Sequence, residues 1–280
     1  MSFGRHEVVA ESDDGMMPMV AAESMRPAEP VLAIEAHAVS KTYAVKGGSL
    51  LALDNVDIQV RDHEFICIVG ASGCGKSTLI RLIAGLTAPT HGTLQTFGQD
   101  VDGPYKDIGV VFQSPVLLPW KTITNNVLFP IRVLGRPTKD FQARAANLLD
   151  LVGLDGFGER RPNELSGGMQ QRVAIARALI HDPKLLIMDE PFGALDQITR
   201  EKMNEELARI WVASKKTTVL ITHSIEEAVF LADRVLVMTP RPGKVAGEVK
   251  IDLDRPREGS IRLSPEFSRL RGEVEELLEA

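Results

Sequence analysis

The chain has 280 residues, a net charge of −6, 44% hydrophobic and 25% charged residues, the balance of a globular protein that can bury a core without cross-links. No lysine- or arginine-rich run offers a footprint for nucleic acid, which is therefore not expected as a partner. Two cysteines, Cys67 and Cys74, make neither a disulfide framework nor a zinc site and point to a reducing compartment, and no apolar run reaches the ~20 residues that span a bilayer.

Residues 1–30 are rich in Met, Ala, Pro and acidic residues without periodicity. They are expected to form a disordered tail with no secretory signal. VLAIEAHAVSKTYAV (31–45) and LLALDNVDIQV (50–60) read as strands around the KGGS turn, and EFICIVG (64–70) as a third. TLIRLIAGL (78–86) is apolar at helical spacing, and TLQTFG (93–98) and IGVVFQ (108–113) read as short strands. The reading turns helical over about 122–152, in two segments, TITNNVLFPIRVLG (122–135) and KDFQARAANLLDLVG (139–153), with Gly153 as the stop. Ser166 is placed to cap a helix over 169–180, and LLIMDE (185–190) is a short buried strand. A helix over 201–213, a strand over 217–223, a helix over 224–233 and late strands over 234–239 and 244–251 follow. Residues 264–280 read as a terminal amphipathic helix. Strands alternating with helices predict a parallel α/β core.

Chemistry concentrates in three places. GASGCGKST (70–78) fits G-x-x-x-x-G-K-[ST] between a strand and a helix, the context of a phosphate-binding loop. The backbone N–H groups of Gly70, Ala71, Ser72, Gly73, Cys74, Gly75, Lys76, Ser77 and Thr78 can curl around phosphate oxygens at a helix N-terminus. Lys76 is suited to the β- and γ-phosphates and the Ser77 hydroxyl to Mg²⁺. LLIMDE ends in Asp189, suited to support the metal, and Glu190, suited to act as general base on the attacking water. ELSGGMQQRVAIARAL (164–179) places Ser166, Gly167 and Gly168 at a helix start, a second anion cradle. One phosphate chain does not need two cradles from one subunit, so two copies facing head to tail are expected to clamp each nucleotide between them.

These motifs, in this order, resemble the ATP-binding subunits of ABC transporters over roughly residues 31–251. GASGCGKST matches the Walker A loop, Gln113 the Q-loop, LSGGMQ the signature with Met169 as a mild departure, LLIMDE Walker B, ALD (194–196) the D-loop and His223 the switch histidine. The resemblance implies a P-loop NTPase (ABC ATPase) α/β core with an antiparallel β subdomain and a helical signature subdomain at about 114–168, followed by a C-terminal tail over 252–280. It implies that Gln113 contacts Mg²⁺ and water, that His223 holds the γ-phosphate, and that Asp196 lies at the dimer seam. Tyr43 stands where the family stacks an aromatic ring on adenine; a half-buried strand tyrosine is the alternative. Cys74 is either a reactive thiol or a tolerated small residue.

A finer resemblance, to nitrate, sulfonate and taurine importers, rests on VVFQSPVLLPWKTITNNV (110–127), LSGGMQQR and TPRPGKVAGEVKIDLDRPR (239–257). It implies an ATPase with ATP and Mg²⁺ as cofactors, paired as a homodimer beneath two permease subunits on the cytoplasmic face of the inner membrane. A solute-binding protein would select the cargo. A non-transport ABC ATPase, or a subunit for another cargo, is the alternative; the former class carries long coiled coils or fused cassettes, and neither occurs here. No N-K-x-D sequence for reading guanine is present. Val116, Leu117, Leu118 and Trp120, in a loop bounded by Pro115 and Pro119, are expected to be covered, either by the chain's own helices or by a permease helix.

Overall fold

The computed structural model describes Met1, Gly4, residues 31–193 and residues 195–279. The N-terminal tail expected from the sequence lies, apart from those two residues, outside the described residues.

Two sheets carry the unit from Val31 onward. Strands β1 (Leu32–Val45) and β2 (Gly48–Arg61) form a long antiparallel hairpin, its turn opened by Gly47 at φ 94°. Strand β3 (Phe65–Gly70) leads into helix α1 (Lys76–Ile83). Strands β4 (His91–Thr96) and β5 (Gln99–Asp100) complete the first sheet in the order β2-β1-β4-β5. The strand expected over 93–98 stops at Thr96 because Phe97 and Gly98 both turn left-handed, at φ 49° and 72°.

Strand β6 (Ile108–Val111) is followed by short helices α2 (Ile123–Val127), α3 (Phe129–Val133) and α4 (Gln142–Leu151). The two helical segments expected over 122–152 are separated at Pro137 as read, and the first is further divided before Pro130. Pro130 stands at the start of α3, where its missing N–H breaks the ladder least. Pro137 is extended and starts a 3₁₀ turn over Thr138–Phe141 ahead of α4. Helix α5 (Gly167–Leu179), strand β7 (Leu185–Asp189), helix α6 (Gln197–Ser214), strand β8 (Thr217–Ile221), helix α7 (Ile225–Leu231) and strands β9 (Arg234–Met238) and β10 (Val245–Lys250) follow. Helix α8 (Pro265–Glu279) closes the chain, with the Phe267 N–H donating to the Ser264 hydroxyl.

The second sheet runs β10-β9-β3-β8-β7-β6, parallel except for β10. Its inner strands are buried on both faces, which explains their unbroken apolar runs. Phe65, Cys67 and Val69 face a core built with α5, α6, α7 and α8, whereas Ile66 and Ile68 face the β1–β2 hairpin and α1. Leu186 and Met188 against Leu185 and Ile187 repeat the alternation in β7. The segment after β10 is drawn into this body by Arg257. Its buried guanidinium donates to the carbonyls of Val229, Phe230 and Ala232 at 3.1, 3.0 and 2.7 Å, and burial lowers its pKa to about 10.

Beneath the C-terminal edge of the parallel sheet lies one buried carboxyl, Glu227 of α7, 3% exposed. The Thr222 hydroxyl hydrogen-bonds its Oε2, while its Oε1 has no partner. Burial outweighs that hydrogen bond and the attraction of Arg200, and raises its pKa from 4.5 to about 7. The folded protein therefore holds this proton more tightly than the unfolded chain, and stability falls as pH rises from about 4.5 through about 7. Glu227→Gln is neutral at every pH. It is expected to raise the melting temperature at pH 8, and to leave it nearly unchanged at pH 4.5, where the wild-type carboxyl is already protonated; melts at the two pH values check this.

Candidate functional site

The site grows from the end of β3. Gly75 caps α1 at φ 115°, and a Cβ there would lie 2.7 Å from Leu53 Cδ2 and 2.8 Å from the Ala52 carbonyl, so only glycine lets the loop lie against the β2 backbone. No side chain caps α1, which leaves its first-turn N–H groups without a side-chain acceptor. The ammonium of Lys76, 6% exposed, donates to the carbonyls of Gly70 and Ala71 at 2.7 and 3.0 Å, with Cys74 Sγ at 3.9 Å. The loop thus folds around its own lysine. Cys74 is 1% exposed, which removes it from solvent oxidants and argues for the packing reading of this thiol.

A cavity of 210 Å³ opens over the loop, lined by Ser72, Gly73, Gly75, Lys76, Ser77 and Thr78, with Glu190 and Arg241 facing them. Asp189, at the end of β7, has the Ser77 hydroxyl beside it, which works to lower its pKa. Burial, and then the charge of Glu190, raise the Asp189 pKa above the usual carboxylate range. Glu190 leaves the strand at φ 45°, a left-handed turn held by its N–H donating to the Ile221 carbonyl at 2.9 Å. The turn aims its carboxylate across the sheet, where Oε2 lies 3.2 Å from Nδ1 of His223. On the other side, Gln113 Nε2 and Glu190 Oε2 both lie 3.4 Å from the point where a side chain on Gly193 would begin. Gly193 is therefore the gap through which the amide and the carboxylate approach. A carboxyl pushed up by burial and by a second carboxylate gains from a cation, and the Ser77 hydroxyl beside it supplies a further oxygen. The pair Ser77 and Asp189 fits a hard divalent ion.

The sheet explains the convergence. β3, β6, β7 and β8 are parallel, so Gly70, Gln113, Glu190 and His223 all emerge at their C-terminal edge, where ligands of such sheets bind. Among the described residues, Tyr43, Ser166, Gly167, Gly168 and Asp196 do not line this cavity. Tyr43 sits in the hairpin opposite Leu50, with the Lys41 ammonium 5.2 Å from its ring centroid. Ser166 caps α5, accepting from the Met169 N–H at 3.3 Å, and Asp196 caps α6, accepting from the Thr199 N–H at 3.0 Å. The two starts adjoin, since a Cβ on Gly168 would lie 3.6 Å from Thr199 Cγ2. Ala194 lies outside the described residues.

Arg241 is the site residue that the sequence reading missed. Its T-P-R-P-G context announced a turn, but nothing in linear order placed that turn over a loop so far upstream. The loop after Gln113 also departs from expectation. Val116 and Trp120 are 61% and 68% exposed, and only Leu117 packs against the core. Polar anchors hold this loop instead of its apolar side chains. Arg177 donates to the carbonyls of Pro115 and Val116 at 2.7 and 2.8 Å, and the buried Asn126 side chain brackets Leu118 by its N–H at 2.7 Å and its carbonyl at 3.1 Å.

Comparison with known proteins agrees with this geometry. The family model described as ABC transporter matches residues 53–193. The chain is 48% identical over 246 residues to the nitrate import ATP-binding protein NrtD of Synechocystis, covering 86% of this chain and 92% of that protein. It is also 48% identical over 237 residues to the taurine import ATP-binding protein TauB of Rhizobium johnstonii, covering 83% and 90%. Among solved structures, the dimeric post-hydrolysis state of the ATP-binding cassette MJ0796 bound to ADP and Pi superposes with a TM-score of 0.68 at 34% identity, over 79% of this chain and all of that one. A phosphate loop, a serine-capped second helix and a strand-end carboxylate pair in this order, matched over most of the length of such relatives, show that the chain belongs to the ATP-binding proteins of the ABC transporter family.

Proposed function

We propose that this chain hydrolyses ATP as the cytoplasmic subunit of an importer for a small solute such as nitrate, a sulfonate or taurine. The observation that carries the reading is Glu190, paired with His223 and facing the phosphate loop across one cavity, with Gln113 nearby at Gly193. Lys76 and the loop N–H groups bind and orient the phosphate chain. Ser77 and Asp189 would hold Mg²⁺ with Gln113 beside them, and the ion would neutralise charge on the phosphate oxygens. Glu190 takes a proton from the water that attacks the γ-phosphorus, and the leaving group is ADP. His223 orients Glu190 through Nδ1; hydrogen-bonding a phosphate oxygen through Nε2 at the same time requires the protonated ring. Tyr43 would stack on the base from the hairpin.

Ser166, Gly167, Gly168 and Asp196 stand at two adjacent capped helix starts outside this cavity. We assign them to the nucleotide of a second copy in a head-to-tail homodimer. Binding ATP would then close the dimer and hydrolysis reopen it, moving two permease subunits beneath which it sits. A solute-binding protein outside the membrane would choose the cargo. Among the described residues no helix is long and apolar enough to cross a membrane, which fits a peripheral subunit docked on the inner face.

Three measurements test this reading. Glu190→Gln keeps the shape but cannot take the proton. Turnover is expected to fall by about 10²–10⁴-fold, with ATP trapping a dimer on size-exclusion chromatography; wild-type turnover would remove Glu190 from the mechanism. Ser166→Arg is expected to bind ATP as a monomer and lose dimer-dependent hydrolysis. Mixed with Lys76→Ala it should regain activity, because each heterodimer contains one intact pair of cradles, and inactive mixtures with proven heterodimers would rule out shared sites. Trp120 is exposed on a rigid loop, so Trp120→Ala should shift the melting temperature by no more than about 2 °C. ATP hydrolysis by the isolated subunit should persist while permease co-purification and transport fall. Undiminished co-purification would show that Trp120 is not a docking residue.

A further inference from the structure

The turn between β9 and β10 is fastened to the nucleotide cavity more tightly than a hairpin loop requires. The Gly243 N–H donates to the Ala52 carbonyl and the Asp54 N–H to the Gly243 carbonyl, both at 3.0 Å, so the turn is pinned to β2. A Cβ on Gly243 would lie 2.1 Å from the Cys74 carbonyl oxygen, so only glycine lets the turn backbone touch the phosphate loop. Lys244 pairs with the Asp54 carboxylate at 2.9 Å, and the Thr239 hydroxyl accepts from the Lys244 N–H at 3.0 Å. At the tip of this fixed turn stands Arg241. Its Nε and Nη2 both donate to the Gly73 carbonyl, at 3.1 and 2.9 Å, and its guanidinium lines the same cavity as Lys76, Ser77 and Thr78.

A guanidinium has five N–H donors, and the neutral Gly73 carbonyl occupies two of them. The remaining donors and the whole positive charge stand at the rim of a cavity built for anionic oxygens, and a planar fork matches such oxygens better than a point charge does. We propose that Arg241 is a further nucleotide-binding residue, its guanidinium anchored on Gly73 and supplying a second positive charge, after that of Lys76, to the phosphate chain of the bound nucleotide. The proposal rests on the reading of this cavity as the ATP site. Phosphates carry no information about the base, so the contribution is the same for ATP and GTP.

The test is equilibrium titration of the full-length isolated subunit with ATP and with GTP, in Mg²⁺ buffer, together with melting in the absence of nucleotide. Arg241→Ala is expected to weaken both nucleotides by about 10-fold, the loss of one charge-assisted contact, and to flatten the salt dependence of binding. The nucleotide-free melting temperature should hold, because backbone bonds fix the turn. Arg241→Lys, which keeps the charge, should recover most of the affinity. Wild-type affinity in Arg241→Ala overturns the proposal, as does a loss confined to ATP, which would put the contact on the base. If Arg241→Ala also melts early, Arg241→Lys decides: recovered affinity supports the charge, and affinity as low as that of the alanine variant overturns it. Lys76→Ala separates the two readings. If it binds nucleotide normally the cavity is not the ATP site, whereas lost binding in Lys76→Ala with normal binding in Arg241→Ala defeats the Arg241 proposal alone.

Discussion

Ile187 of β7 pairs with Val110 of β6 on one side and Val219 of β8 on the other, and Ile68 of β3 lies beside Ile221. On this register the rest of the molecule depends. A strand buried on both faces cannot slip by one residue without exchanging every inward and outward side chain. Such a slip in β7 would swap Leu186 and Met188 with Leu185 and Ile187 between two cores already filled. The same slip would move Asp189 and Glu190 along the edge, away from Ser77 and His223. Packing thus enforces a placement whose purpose is chemical. The apolar core is the ruler that sets distances among polar groups it never touches.

The edge is electrostatically expensive. Asp189 and Glu190 are adjacent carboxylates, Glu227 is buried below them, and Glu190 raises the pKa of each of the other two. The Thr222 hydroxyl and then Arg200 relieve Glu227, and Ser77, Lys76 and Arg81 relieve Asp189, without offsetting burial in either case. Lys76 and Arg241 share the cavity with Glu190, so both signs of charge meet at this end of the sheet.

The helical region and the loop before it answer a different demand. Proline interruptions at 130 and 137 leave short helices, and Arg177 and Asn126 hold the Gln113-side loop by its carbonyls and N–H groups. Backbone anchoring frees the side chains at 116 and 120 from the core. Trp120, 68% exposed, sits only a few residues beyond Gln113.

Much of this was legible in the linear chain. GASGCGKST, LLIMDE and LSGGMQ are local patterns, and their chemistry depends on residues a few positions apart: a glycine at positive φ before a helix, two carboxylates at a strand end, a serine cap. The alternation of strands and helices was legible for the same reason, since periodicity is local. The helix break at Pro137 was legible for the same reason, whereas the apolar spacing of 122–135 masked the one before Pro130. Tertiary structure alone decided which of these pieces meet. Gln113, Glu190 and His223 converge because three parallel strands share an edge, whereas Ser166 and Asp196 cap helices outside that cavity. Arg241 reaches Gly73 because β9 lies beside β3, a neighbourhood set by sheet order and not by sequence distance. The exposure of Trp120 could not be read from its apolar character, because what holds a loop in place is the pairing of its backbone, and those partners come from elsewhere in the chain.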